Sequence, residues 1–102
     1  MKNSKDIDII LKEMKEILVK KQNDYGPYNI ARAPGGPMNG LLVRMYDKIA
    51  RLDNLRKRNN TPNYESVEDS LIDLANYAII GLLVIRDQWE GVSERDKPPG
   101  AL

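Results

Sequence analysis

The sequence predicts an all-α protein, a small helical bundle with two long antiparallel helices and an N-terminal helix. Two observations carry that prediction. Apolar residues recur at three- and four-residue intervals through three stretches, and nowhere do they alternate with polar residues as a half-buried strand requires. The last stretch, Glu65–Trp89, is apolar on every side between Leu71 and Ile85 except at Asp73 and Asn76, the pattern of a helix buried in a core. A chain of 102 residues makes one domain, expected over 1–92, with a polar, proline-containing tail over 93–102. So short a chain around so apolar a helix leads us to expect a homo-oligomer, a dimer or larger. Leu82, Leu83 and Ile85 would carry the core into the interface.

The first helix is expected over Ser4–Lys21. Ile7, Ile10, Leu11, Met14, Ile17 and Leu18 fall on one face, with Asn3 or Ser4 as N-cap and Lys20 and Lys21 at the negative end of the dipole. From Gln22 to Met38 the chain reads QNDYGPYNIARAPGGPM, too rich in Gly and Pro for continuous regular structure. Roughly 17 residues is long for a connection in a compact domain, and such loops are usually functional or disordered. Tyr25, Tyr28, Asn29, Ile30 and Arg32 give it the character of an ordered loop closing over a ligand, although packing on its own side chains is the plainer reading.

The second long helix is expected from about Asn39 to Arg58. Leu41, Leu42, Met45, Ile49 and Leu52 make its core stripe, opposite a charged stripe of Arg44, Asp47, Lys48 and Arg51. Asp47 can pair with Arg44 and Arg51 on the same helix, contributing a few tenths of a kcal/mol each. Three cations in a line also suit phosphate oxygens. NNTPN (59–63) is a turn, and Ser66 with Asp69 resembles a capping box at the start of the last helix. Glu65, Asp69, Asp73 and Asn76 then share one face. A carboxylate in such apolar surroundings as those of Asp73 needs an ion pair, hydrogen bonds or a metal. The structural alternative to a functional role is a buried salt bridge to an arginine of the second long helix.

Composition removes whole classes of chemistry. With no Cys and no His, disulfides, thiol nucleophiles, cysteine–histidine metal sites and histidine acid–base schemes are excluded. A metal would sit among oxygens, which favours Mg²⁺ or Mn²⁺. The net charge of +1 argues against a general affinity for nucleic acid. The N-terminus has no signal-peptide pattern, and Leu74–Ile85 is too short for a membrane span, so a cytoplasmic protein is expected.

Three segments, KKQNDYGPYN (Lys20–Asn29), GLLVRMYDKIARLDNL (Gly40–Leu55) and ESVEDSLIDLANYAIIGLL (Glu65–Leu83), resemble the nucleotide modification associated domain family of phages and bacteria. That family is similar to the MazG-like all-α NTP pyrophosphatases. The resemblance covers roughly residues 20–90. It implies a helical bundle, a nucleotide ligand and a setting in phage nucleotide metabolism, hence the host cytoplasm. Carried over residue by residue, it makes Asp47, Asp69 and Asp73 the site acids, with Asp47 and Asp73 the catalytic candidates. Lys21, Arg44, Lys48 and Arg51 become phosphate contacts, with Tyr25, Asn29 and Asn76 beside them. The chain departs from the MazG-like pattern where a glutamate cluster is expected, since Asp47 stands there among cations.

Three functions follow as expectations. In the first, Mg²⁺ on Glu65, Asp69 and Asp73 bridges the phosphates of a nucleoside triphosphate held by the cations, and a metal-activated water hydrolyses it. In the second, the protein only binds, sequestering a nucleotide signal of host antiphage defence such as a cyclic nucleotide. In the third, Arg44–Arg58 serves a helical interaction or nucleic-acid-binding module.

Overall fold

The computed structural model describes residues 1–58 and 64–92, apart from the side chains of Tyr64 and Glu65. Within them the chain is all-α, as expected: α1 spans Ser4–Tyr25, α2 Tyr28–Ala31, α3 Pro37–Lys57 and α4 Tyr64–Ile85. The turn at 59–63 and the tail at 93–102 lie outside the described residues.

Helix α1 runs about one turn further than the sequence reading had it. Gln22, Asn23 and Asp24 break no helix, and the chain first stops at Gly26, whose φ of 74° and N–H to the Gln22 carbonyl (2.7 Å) close the last turn. Lys20 and Lys21 are therefore not cap cations, and the last turn holds no basic residue. Asn3 precedes the helix without a side-chain cap bond. The expected irregular loop contains a further turn of helix, α2, and ends at Gly36 (φ 97°), after which Pro37 opens α3 with the fixed φ that suits a first helical position.

α3 and α4 form the principal pair and run antiparallel. Leu41 and Met38 of α3 pass Gly81 of α4, and seven residues on from Leu41 the Lys48 side chain reaches Asp73. Ile30, Leu41, Ile80 and Val84 form the buried core, with Leu18, Met38, Tyr77, Trp89 and Val92 packed around it. Each such aliphatic side chain removed from water contributes about 1.5–3 kcal/mol. The Trp89 indole N–H donates to the Pro27 carbonyl (3.0 Å), which ties the segment after α4 to the start of α2.

Burial of α4 on all sides is not what a single chain achieves. Leu71 and Leu82 are half-exposed, because α3 and α1 cover only part of its circumference, and α1 itself contains no fully buried residue.

Candidate functional site

Asp73 stands three residues before Asn76 on α4, facing α1 and α3. Its carboxylate bridges two helices: Oδ1 lies 2.6 Å from Lys21 Nζ of α1 and Oδ2 2.9 Å from Lys48 Nζ of α3. The expected arginine partner on α3 is replaced by lysines from two elements. A lysine carries a compact ammonium on a long stem, so one carboxylate can hold two from opposite sides. Arg44, one turn before Lys48, donates instead to the Asn29 main-chain carbonyl (3.3 Å) and so couples α3 to α2. Asp47 lies on the exposed side of α3 and has no ion pair among the described residues; the acid that pairs within α3 is Asp53, with Arg56 and Lys57.

These contacts frame a cleft of about 410 Å³, within the usual size range of small-ligand sites. Lys21, Tyr25, Asn29, Arg44, Lys48, Asp73 and Asn76, all singled out by sequence, line it, with Ile80 as part of the apolar floor. Tyr25 is exposed at the rim. Tyr28, the other tyrosine of the segment expected to close over a ligand, lies under the Arg32 guanidinium (4.3 Å to the ring centroid) and does not line the cleft.

Arg51 and Asp69 fall in a second cleft of about 730 Å³, which also contains Lys20, Asp24 and Ile72. Lys21, Tyr25 and Asp73 border both, so the Lys21–Asp73 pair is the partition between them. Asp47 is outside the lining of both, and the Glu65 side chain lies outside the described residues. Gln22, Tyr77 and Lys20 were missed by sequence. The Gly- and Pro-rich stretch places Gln22 in a loop by sequence; on the continued α1 it falls beside Lys21.

The polar lining has three loose ends. Gln22 Oε1, Asn29 Oδ1 and Asn76 Oδ1 are buried and have no hydrogen-bond partner among the described residues. Asn76 is 5% exposed, and its Nδ2 donates to the Met14 carbonyl of α1 (3.1 Å), which fixes the orientation of its amide.

The charges at the partition follow from their neighbours. Burial pushes the Asp73 carboxyl up, but the hydrogen-bonded ammonium groups of Lys21 and Lys48 outweigh it and hold the group below its ordinary value. Lys21 is raised in turn, chiefly by its hydrogen bond to Asp73, against a smaller opposing effect of burial. Both therefore stay charged at neutral pH.

No three carboxylates come together as a metal site among the described residues. Asp69 and Asp73 do border one cleft, but both Asp73 oxygens are engaged by ammonium groups. The donors present fit an anion edged with hydrogen-bonding groups better than they fit Mg²⁺.

The fold and site define a small all-α protein with a cleft edged by cations and amides. Residues 21–85, which hold every residue lining the smaller cleft except Leu18, match the model of a family described as nucleotide modification associated domain 1, and the chain belongs to that family. No curated protein and no solved structure matches it. None of the described helices is long and apolar enough to cross a membrane.

Proposed function

We propose that this protein binds a nucleotide in the smaller cleft, with its phosphates on Lys21, Lys48 and Arg44 and its base against the amides of Gln22, Asn29 and Asn76. The observation that carries this reading is the meeting of three cations and three unpartnered amide oxygens in one cleft of nucleotide-compatible size. Membership of a family associated with nucleotide modification agrees with it. Tyr25 at the rim supplies a face on which a base can stack. Phosphate oxygens would take over one or both ammonium groups now held by Asp73, exchanging one set of charge-assisted hydrogen bonds for another.

A second reading is Mg²⁺-dependent hydrolysis of a nucleoside triphosphate, in which the metal would supply Lewis-acid activation of water. The presence of Asp69 and Asp73 with Arg51 in the larger cleft favours it. Glu65 precedes Asp69 by one turn of α4, its side chain outside the described residues. The engagement of both Asp73 oxygens by lysines weighs against it, so binding without turnover is the better supported reading.

One substitution separates the two. Calorimetric titration with nucleoside mono- and triphosphates, with and without Mg²⁺, would be run on the wild type and on Asp73→Asn, and each mixture chromatographed for products. For a binder, Asp73→Asn keeps or raises affinity, because removing a negative charge beside the phosphates frees two cations for them, and ligand is recovered intact. For a metal-dependent hydrolase, the substitution abolishes product formation and the Mg²⁺ dependence. In either case Lys48→Gln lowers triphosphate affinity about tenfold or more, the worth of a charged hydrogen bond. Undiminished binding by Lys48→Gln would remove the cleft from consideration.

A further inference from the structure

Three carbonyl oxygens from three side chains around one cleft lie buried and without a partner among the described residues, and their chemistry says what must meet them. A buried acceptor without a donor forfeits its hydration for nothing, which is why native proteins keep few of them. Asn76 is the firmest of the three. Its Nδ2 is committed to the Met14 carbonyl, so turning the amide would set two acceptors against each other, and only Oδ1 is left for a ligand. Gln22 from α1 and Asn29 from α2 add two further amides whose oxygens can face the same ligand group. A metal ion could also use amide oxygens, but Lys21, Arg44 and Lys48 line the same cleft and repel a cation. The complement is a neutral group rich in N–H donors.

We infer that the cleft reads the donor edge of a nucleobase and that guanine is the base it fits best, with Asn76, Gln22 and Asn29 as the residues that determine specificity. This rests on the nucleotide-binding reading above and names its ligand class. Guanine presents N1–H and its 2-amino group side by side, a continuous donor edge. Uracil and thymine offer one N–H between two acceptor oxygens, and adenine and cytosine place a ring acceptor beside their amino group. With each of those bases an acceptor of the ligand faces an acceptor of the protein. A site built to hydrogen-bond a particular group discriminates strongly against analogues lacking it, because its own buried groups are left unpaired.

The test is a set of titrations of the wild-type protein without Mg²⁺, using the 5′-triphosphates of guanosine, 2′-deoxyguanosine, inosine, N1-methylguanosine, adenosine and uridine. We expect guanosine and 2′-deoxyguanosine triphosphates to bind alike. Inosine, which lacks the 2-amino group, should bind about tenfold more weakly, and N1-methylguanosine about a hundredfold more weakly. The double variant Gln22→Ala, Asn29→Ala should shrink the guanine-over-inosine ratio towards one while inorganic triphosphate binds as it does to the wild type. Equal affinity for guanosine, inosine and N1-methylguanosine triphosphates would overturn the inference and leave nucleotide binding standing. So would tightest binding of uridine triphosphate, or a preference that follows the 2′-hydroxyl instead of the base. Failure of every triphosphate to bind would overturn the function itself.

Discussion

Asp73 is the residue whose ion pairs tie α4 to both α1 and α3. Its folded pKa lies below the unfolded value of about 3.9, so its contribution is fully present above that pH and is lost as pH falls through the lowered folded value. Lys21 works in the opposite direction. Its folded pKa lies above 10.5, so its share is complete below that value and is lost as pH rises through the folded one. Thermal melts should therefore be level across the neutral range and fall at both extremes, below about pH 4 and above about pH 10. Asp73→Asn should flatten both limbs, because it removes the group that titrates in acid and the main cause of the Lys21 shift, while lowering stability at neutral pH by about 1–3 kcal/mol. Unchanged acid and alkaline limbs in the variant would place the titrating groups elsewhere. The need of Asp73 for a partner was legible in the sequence, since its neighbours on α4 are apolar. The partners were not, because Lys21 belongs to a helix that local pattern ended at that residue, and a pairing 52 positions apart leaves no periodic trace.

At the scale of the element, the long helices were readable because their apolar spacing extends over several turns each. The extra turn of α1 and the whole of α2 were not. Both lie in QNDYGPYNIARAPGGPM, where Gly and Pro signal interruption, and a four-residue helix held by Trp89 and Arg44 depends on tertiary contacts. That misplacement hides Gln22, whereas Tyr25 and Asn29 are singled out by sequence and do line the cleft. The α2 segment is also seated by a glycine within α3. A Cβ on Gly40 would come 2.5 Å from the Ala33 Cβ and 3.2 Å from the Arg44 guanidinium. Gly40→Ala gains about 1 kcal/mol of helix propensity, but it forces α2 away from α3 at a cost of about 1–3 kcal/mol. The expected outcome is a net loss of stability in denaturant melts and weaker ligand binding, because Arg44 and Asn29 are displaced together. A more stable variant with unaltered affinity would mean that α2 moves freely and does not position the cleft.

The whole molecule leaves apolar surface that one copy does not cover. Along α3 and α4, Leu42, Met45, Ala78, Leu82 and Ile85 line a groove of about 320 Å³, and Leu42 and Leu82 are each half-exposed. On α1, Ile7, Ile10 and Leu11 are exposed on the face whose continuation, through Leu18, packs on the core. Contiguous patches of this kind on a small protein mark interaction surfaces, and a second copy brings matching patches at no cost in sequence. A net charge of +1 leaves little long-range repulsion between copies. Light scattering at micromolar concentration should accordingly give a mass of at least two chains. Leu82→Lys should shift it to that of one chain, because the groove would have to accept an unpaired ammonium. Its circular dichroism should stay helical, since Leu82 lies outside the buried core. Tyr77 of α4 borders both this groove and the smaller cleft, so nucleotide affinity would report whether assembly and binding are separate. An unchanged affinity in a monomeric Leu82→Lys variant would make the site complete within one chain, whereas a lost affinity would place part of it on the neighbouring copy. A wild-type protein that stays monomeric would leave those apolar faces for a different partner.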